Sequence, residues 1–172
     1  MTRRTSVPTP DTPSGGATRY RDRIFDDKRG DPYQARGKYH EPTVCTDCGA
    51  VFLNGRWTWG DPPEGARRDR CPACHRIHDK MPAGTVTLEG EFYTAHRDDL
   101  LQLVKNEAEH ERGEHPMNRI MGIDERPDRA VVTTTDIHTA HRIGTALAHA
   151  YHGHVDMRYA EDEYSVRVNW RR

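Results

Sequence analysis

Cys45-x-x-Cys48 and Cys71-x-x-Cys74 hold all the cysteines of this chain, and 22 residues separate the two pairs. A C-x2-C turn places two sulfurs on one side of a metal ion, and two such turns close a tetrahedral shell with no thiol left over. The spacing predicts one zinc ion held by Cys45, Cys48, Cys71 and Cys74. Gly49 follows the first pair, where a tight knuckle needs unusual dihedrals, and Pro72 stiffens the second. A closed four-sulfur shell leaves no position for water or substrate, so the zinc is expected to be structural. Two disulfides would instead need an oxidising compartment, and Met1-Thr-Arg-Arg has no apolar segment to direct export. A thioredoxin-like redox pair would need a single C-x-x-C at a strand-to-helix junction. His75 and His78 are surplus to the shell and read as polar residues on the turn behind it.

Other reactive side chains are plentiful but poorly arranged. His110-Glu-Arg-Gly-Glu-His115 is not H-E-x-x-H, and residues five apart face different sides of a helix. There is no phosphate-cradling glycine loop and no G-x-S-x-G. The chain is expected not to be an enzyme, and no small-molecule substrate is expected. His138, His141, Arg142, His149 and His152 share the polar side of one amphipathic segment. That side suits phosphate contact or plain solvation, and it lacks the carboxylates that would complete a second metal site.

Basic residues form the other candidate chemistry. Net charge is −1, which carries no global signal for nucleic acid. The distribution says more: residues 1–40 hold nine Lys/Arg against five Asp, and residues 81–126 hold five Lys/Arg against ten Asp/Glu. Arg19, Arg21, Arg23, Lys28, Arg29, Arg36 and Lys38 are interleaved with Tyr20, Phe25, Tyr33 and Tyr39. Cations with aromatics suit phosphate neutralisation and base stacking, and they suit equally an arm packed along the metal module. Arg56, Trp57, Arg67 and Arg68 extend the set into the cysteine region, and Arg158, Arg167 and Arg171 into the last strands. Trp57 and Trp59 fall on one side of a strand, as an aromatic platform or as the small core of the metal module.

The elements that must position these residues follow from composition and periodicity. The 172 residues are 34% hydrophobic and 31% charged, with a mean hydropathy of −0.98. Small modules propped by metal fit that polarity better than one large core. No apolar run approaches a membrane span, so a soluble, cytoplasmic chain without membrane contact is expected. Residues 1–42 read as a disordered, basic arm, and residues 43–80 as the zinc module, with a hairpin turning at Asn54-Gly55 and a short helix from Cys74. Residues 81–117 read as a strand or hairpin around Gly90, then a linking helix from about His96 to Arg112. Leu100, Leu101, Val104 and Ala108 form its apolar stripe, and Glu107, Glu109, Glu111 and Glu114 make its distal end acidic.

Residues 118–172 read as β-β-α-β-β. Ile120–Ile123 and Ala130–Thr134 form a hairpin, Asp136 caps a helix ending at Gly153, and two alternating strands follow. The fold class expected is α+β: a four-cysteine ribbon or knuckle joined by a helix to an antiparallel sheet. The open face of that sheet would carry Arg158, Arg167, Asn169 and Arg171.

Two blocks together carry a resemblance. Val44-Cys-Thr-Asp-Cys-Gly-Ala-Val-Phe52 with Cys71-Pro-Ala-Cys74 is the first. Val131-Val-Thr-Thr-Thr-Asp-Ile-His138, Ala140 to Leu147 and Tyr164-Ser-Val-Arg-Val-Asn-Trp-Arg-Arg172 make the second. The chain resembles a family of small bacterial zinc-ribbon proteins related to nonsense-mediated mRNA decay protein 3, the archaeal and eukaryotic adaptor of the large ribosomal subunit. The further cysteine pairs and nuclear-export tail of that adaptor are missing here. The resemblance implies association with the ribosome or ribosomal RNA, in assembly or in hibernation, with the four cysteines as zinc ligands. A protein adaptor docking through the acidic helix is the alternative.

Overall fold

Alternation of apolar and polar residues builds the larger of two sheets. The computed structural model describes residues 30–35 and 39–172. Strand β5 (Gly84–Glu89) buries Gly84, Val86 and Leu88 and leaves Thr85, Thr87 and Glu89 on the other face. Strands β7 (Arg129–Thr134) and β9 (Val166–Arg171) do the same, in register with it. With β6 (Ile120–Glu125) and β8 (His154–Tyr159) they form a five-stranded sheet in the order β6-β7-β5-β9-β8. Helices α3 (Glu91–Glu114) and α4 (Ile137–Tyr151) cover one face. Leu100, Val104, Ile137, Ile143 and Leu147 pack there against Val86, Val132, Val168 and Trp170. Gly144 lets α4 come close, since a Cβ there would lie 2.5 Å from Val168 Cγ1.

This corrects the expected division at residue 118. β5 is the central strand of the sheet, antiparallel to β7 and parallel to β9, so the sheet is mixed. Residues 81–117 are part of its core and not a linker. Of the strand or hairpin expected around Gly90, the strand is present as β5, and Gly90, with φ +105°, opens α3 directly after it. The helix breaks its regular geometry at His96, the residue where the pattern suggested a start. Glu111 departs from the expected solvated acidic end: it is buried, with Oε1 2.9 Å from Arg142 Nε and Oε2 accepting from Asn118 Nδ2 at 3.2 Å.

A second, smaller core surrounds the cysteines. Strands β1 (Thr43–Cys45), β2 (Val51–Leu53), β3 (Arg56–Thr58) and β4 (Arg67–Asp69) form a sheet ordered β3-β2-β1-β4. β2 and β3 turn at Asn54-Gly55, with φ +52° and +76°, the turn their sequence predicts. Glu41 caps this turn, accepting from the amides of Asn54 at 2.8 Å and Gly55 at 3.0 Å. Helix α2 (Pro72–Asp79) closes the module. Buried Arg76 on α2 pairs with Asp31 at 2.5 Å and lies over the Tyr33 ring. The segment around α1 (Pro32–Ala35) is thereby fastened to the module. Among the described residues, no helix is long and apolar enough to cross a membrane.

Candidate metal centre and cationic surfaces

The two C-x2-C turns are built differently and meet. The first leaves β1: Cys45 N donates to Ala50 O at 2.7 Å, and Gly49, at φ +78°, donates to Cys45 O at 3.0 Å. The second opens α2, with Cys71 as its N-cap and Pro72 in the first turn, where a missing N–H costs nothing. Backbone amides point at the sulfurs, Cys71 N to Cys45 Sγ at 3.3 Å and Cys74 N to Cys71 Sγ at 3.4 Å. Parallel pairing of β1 with β4, Cys45 opposite Asp69, brings the second turn alongside the first.

All four sulfurs lie within 4.8 Å of one another. A tetrahedral ion with bonds of about 2.3 Å to sulfur separates its ligands by roughly 3.8 Å. The Cys48–Cys71 Sγ distance is 3.8 Å. The set could hold one metal ion. Without a cation the four thiols cannot all ionise together. Sulfur–sulfur hydrogen bonding pulls Cys45 far below the ordinary thiol range and pushes Cys71 and Cys74 far above it.

One residue outside the cysteine region completes the centre. Arg119, buried at the head of β6, donates from Nη2 to the sulfurs of Cys71 at 3.3 Å, Cys74 at 3.5 Å and Cys48 at 3.7 Å. Burial opposes its charge, but the sulfurs beside it outweigh that and hold the guanidinium above its usual range. Thr135 fixes its backbone: Arg119 N donates to Thr135 Oγ1 at 2.9 Å, and Thr135 N to Arg119 O at 2.9 Å. Sequence pattern offered no signal for Arg119, which lies 45 residues beyond the last cysteine in an ordinary strand start. Trp59 Nε1, donating to Arg112 O at 2.6 Å, makes a second bridge between the two cores.

The other candidates divide by location. Arg19, Arg21, Arg23, Lys28, Arg29, Arg36 and Lys38 lie outside the described residues. Arg56, Arg67 and Arg68 are exposed on the small sheet. Trp57 is half-buried, 5.0 Å from the Tyr39 ring and 5.4 Å from Phe52, so it serves the module as an aromatic core. Burial and the nearby Asp69 push the Tyr39 phenol up to about 12.

Arg158, Arg167 and Arg171 are exposed on the face of the large sheet opposite the helices, as their alternation implies. Arg158 stands directly across from Arg167, and His154 from Arg171. Asp156 partners Arg158 at 2.7 Å. Among the described residues no second group of three or more ligating side chains gathers. Compared with family models, with curated proteins and with solved structures, the chain matches none.

Proposed function

We propose that this chain is a zinc-stabilised, non-enzymatic factor that binds the ribosome or structured RNA. The observation that carries the reading is the face of the five-stranded sheet that none of the described elements covers, where Arg158 stands opposite Arg167 and Arg171 lies on the same strand as Arg167. Arg158 and Arg167 directly across a strand pair oppose folding, Asp156 offsets that in part at 2.7 Å, and an anionic partner relieves the rest. An array of arginines on a flat sheet neutralises a phosphate backbone without reading its sequence. The cysteine cluster supports the structural half of the proposal. Four sulfurs within 4.8 Å of one another, with one pair at 3.8 Å, suit zinc, as a ribbon or knuckle, and keep no position open for catalysis. The protein-adaptor reading loses part of its basis, because Glu111 is spent inside the fold on Arg142 and Asn118.

Sedimentation of a lysate on a sucrose gradient, with and without RNase, tests the proposal. Migration with ribosomal particles that RNase abolishes, that weakens steeply with salt, and that Arg158→Glu with Arg167→Glu removes, is the expected result. A chain found only at the top of the gradient at low salt would overturn it.

A further inference from the structure

A cleft of about 750 Å³ runs between the small core and the ends of the helices on the large sheet. We infer that it binds a nucleoside phosphate, with the base against its aromatic wall and the phosphate on its cations. For a base within RNA this rests on the function proposed above; for a free nucleotide it does not.

Three observations converge. One wall is aromatic and only half-buried: Tyr39, Phe52 and Trp57 sit with ring centroids 5.0–5.5 Å apart. Such a surface takes a base of any identity, because every base has a π-face. Other lining groups are cationic or hydrogen-bonding, with exposed Arg56 from the hairpin, His115 from the end of α3, and His138 from the first turn of α4. The acid among them is already matched: Glu111 lies 2.9 Å from Arg142 Nε, so that pair adds no net charge and Arg56 sets the sign. The volume lies within the range of sites that enclose small ligands. An apolar wall beside Arg56, which has no acidic partner among the described residues, is the chemistry of an aromatic anion. A nucleoside phosphate fits that description, because its sugar joins a flat ring to the charged group by a short, jointed linker.

The test uses the full, metal-loaded chain. A fluorescein-labelled, single-stranded RNA octamer is titrated by anisotropy, and AMP and inorganic phosphate by calorimetry. Binding of the octamer or of AMP is expected, and Arg56→Glu and Trp57→Leu should each weaken it about tenfold. AMP binding lost with the octamer's would identify any nucleotide as sufficient. Octamer binding without AMP binding would identify an unpaired residue of RNA. Arg56→Glu and His138→Ala lie at exposed positions, so they report on the cleft even where Trp57→Leu disturbs the fold. Unchanged affinity in both would overturn the inference, as would inorganic phosphate binding as tightly as AMP. Ribosome sedimentation that survives these cleft variants but fails in Arg158→Glu/Arg167→Glu, with octamer binding intact in Arg56→Glu, refutes the cleft and spares the sheet face. A chain that never sediments with ribosomes, yet binds AMP through Arg56, does the reverse.

Discussion

Arg119 Nη2 lies 3.3 Å from Cys71 Sγ, although 48 residues separate the two in sequence. The guanidinium belongs to the residue just before β6 of the large sheet, and the sulfur to the small cysteine core. A four-thiolate site around a divalent ion carries a net charge of about −2, which is costly to bury without a counter-charge. Arg119 supplies half of it from the neighbouring core, so a metal ion held by the four cysteines would also form the electrostatic joint between the two parts of the molecule.

Replacing Arg119 should therefore loosen the metal. Outer partners of metal ligands are typically worth 10- to 100-fold in affinity, and Arg119→Met is expected to fall in that range of about 10- to 100-fold. Competition with a chromophoric chelator measures it. Arg119→Lys should recover part of the loss, since it restores the charge on a shorter side chain that does not reach as far as the Nη2 that touches three sulfurs. Equal affinity in the wild type and Arg119→Met would remove the charge role.

Removing the ion should unfold the small core first. That core is little more than Cys45, Ala50, Cys71, Ala73 and Cys74 with a few partly covered neighbours, whereas the large sheet has its own apolar cluster. Metal binding free energy is folding free energy in such a module. Chelation, or Cys48→Ser, is expected to expose the amides of residues 43–80 to hydrogen exchange while those of β5 and β9 stay protected. Metal analysis of the wild type should find about one ion per chain.

Gly84 is predicted to tolerate no side chain. A Cβ there would meet Thr134 Oγ1, Ala140 Cβ at 2.5 Å and the backbone oxygen of Asp136 at 2.9 Å. Gly84→Ala should cost about 1–3 kcal/mol, the usual range for overpacking a filled core. Urea denaturation checks it, and a change below about 0.5 kcal/mol would mean that α4 shifts freely on the sheet.

Asp136 carries a pH-dependent cost. It caps α4, with Oδ1 accepting from Thr139 N at 2.8 Å and Oδ2 from Thr139 Oγ1 at 2.6 Å. Burial nonetheless raises its pKa above the ordinary 3.8, outweighing those hydrogen bonds. A raised value means the folded state holds the proton more tightly. Its contribution is full below the unfolded pKa and is lost as pH rises through the folded one. Stability of the wild type relative to Asp136→Asn should thus fall as pH rises from about 4 toward neutrality. Asp136→Ala, which removes the cap, should lie about 1 kcal/mol below Asp136→Asn throughout. Chemical denaturation of the three chains across that pH range, each loaded with metal, tests the sign.

Local pattern was sufficient wherever the physics is local. The two C-x2-C pairs identify the ligand set because the turn itself aims both sulfurs, and Gly49 and Pro72 occupy the positions such turns demand. Asn54-Gly55 predicts its hairpin turn, Asp136 its helix cap, and alternation in β9 its exposed Arg167 and Arg171, for the same reason. Gly90 left a hairpin open because a glycine at positive φ serves a hairpin and a helix start alike, and here the approach of Arg172 O within 2.5 Å of a Cβ at Gly90 accompanies the helix start. What tertiary structure alone decided are the relationships between distant segments. Periodicity gives the face of a strand but not its neighbours, so β5 could not be placed between β7 and β9. Nor could Glu111 be told from the acids around it, since only α4 supplies the Arg142 that permits its burial. Arg119 reaches the sulfurs, and the cleft opens beside Trp57, because two separately built cores meet along one seam, and no spacing within either core encodes that meeting.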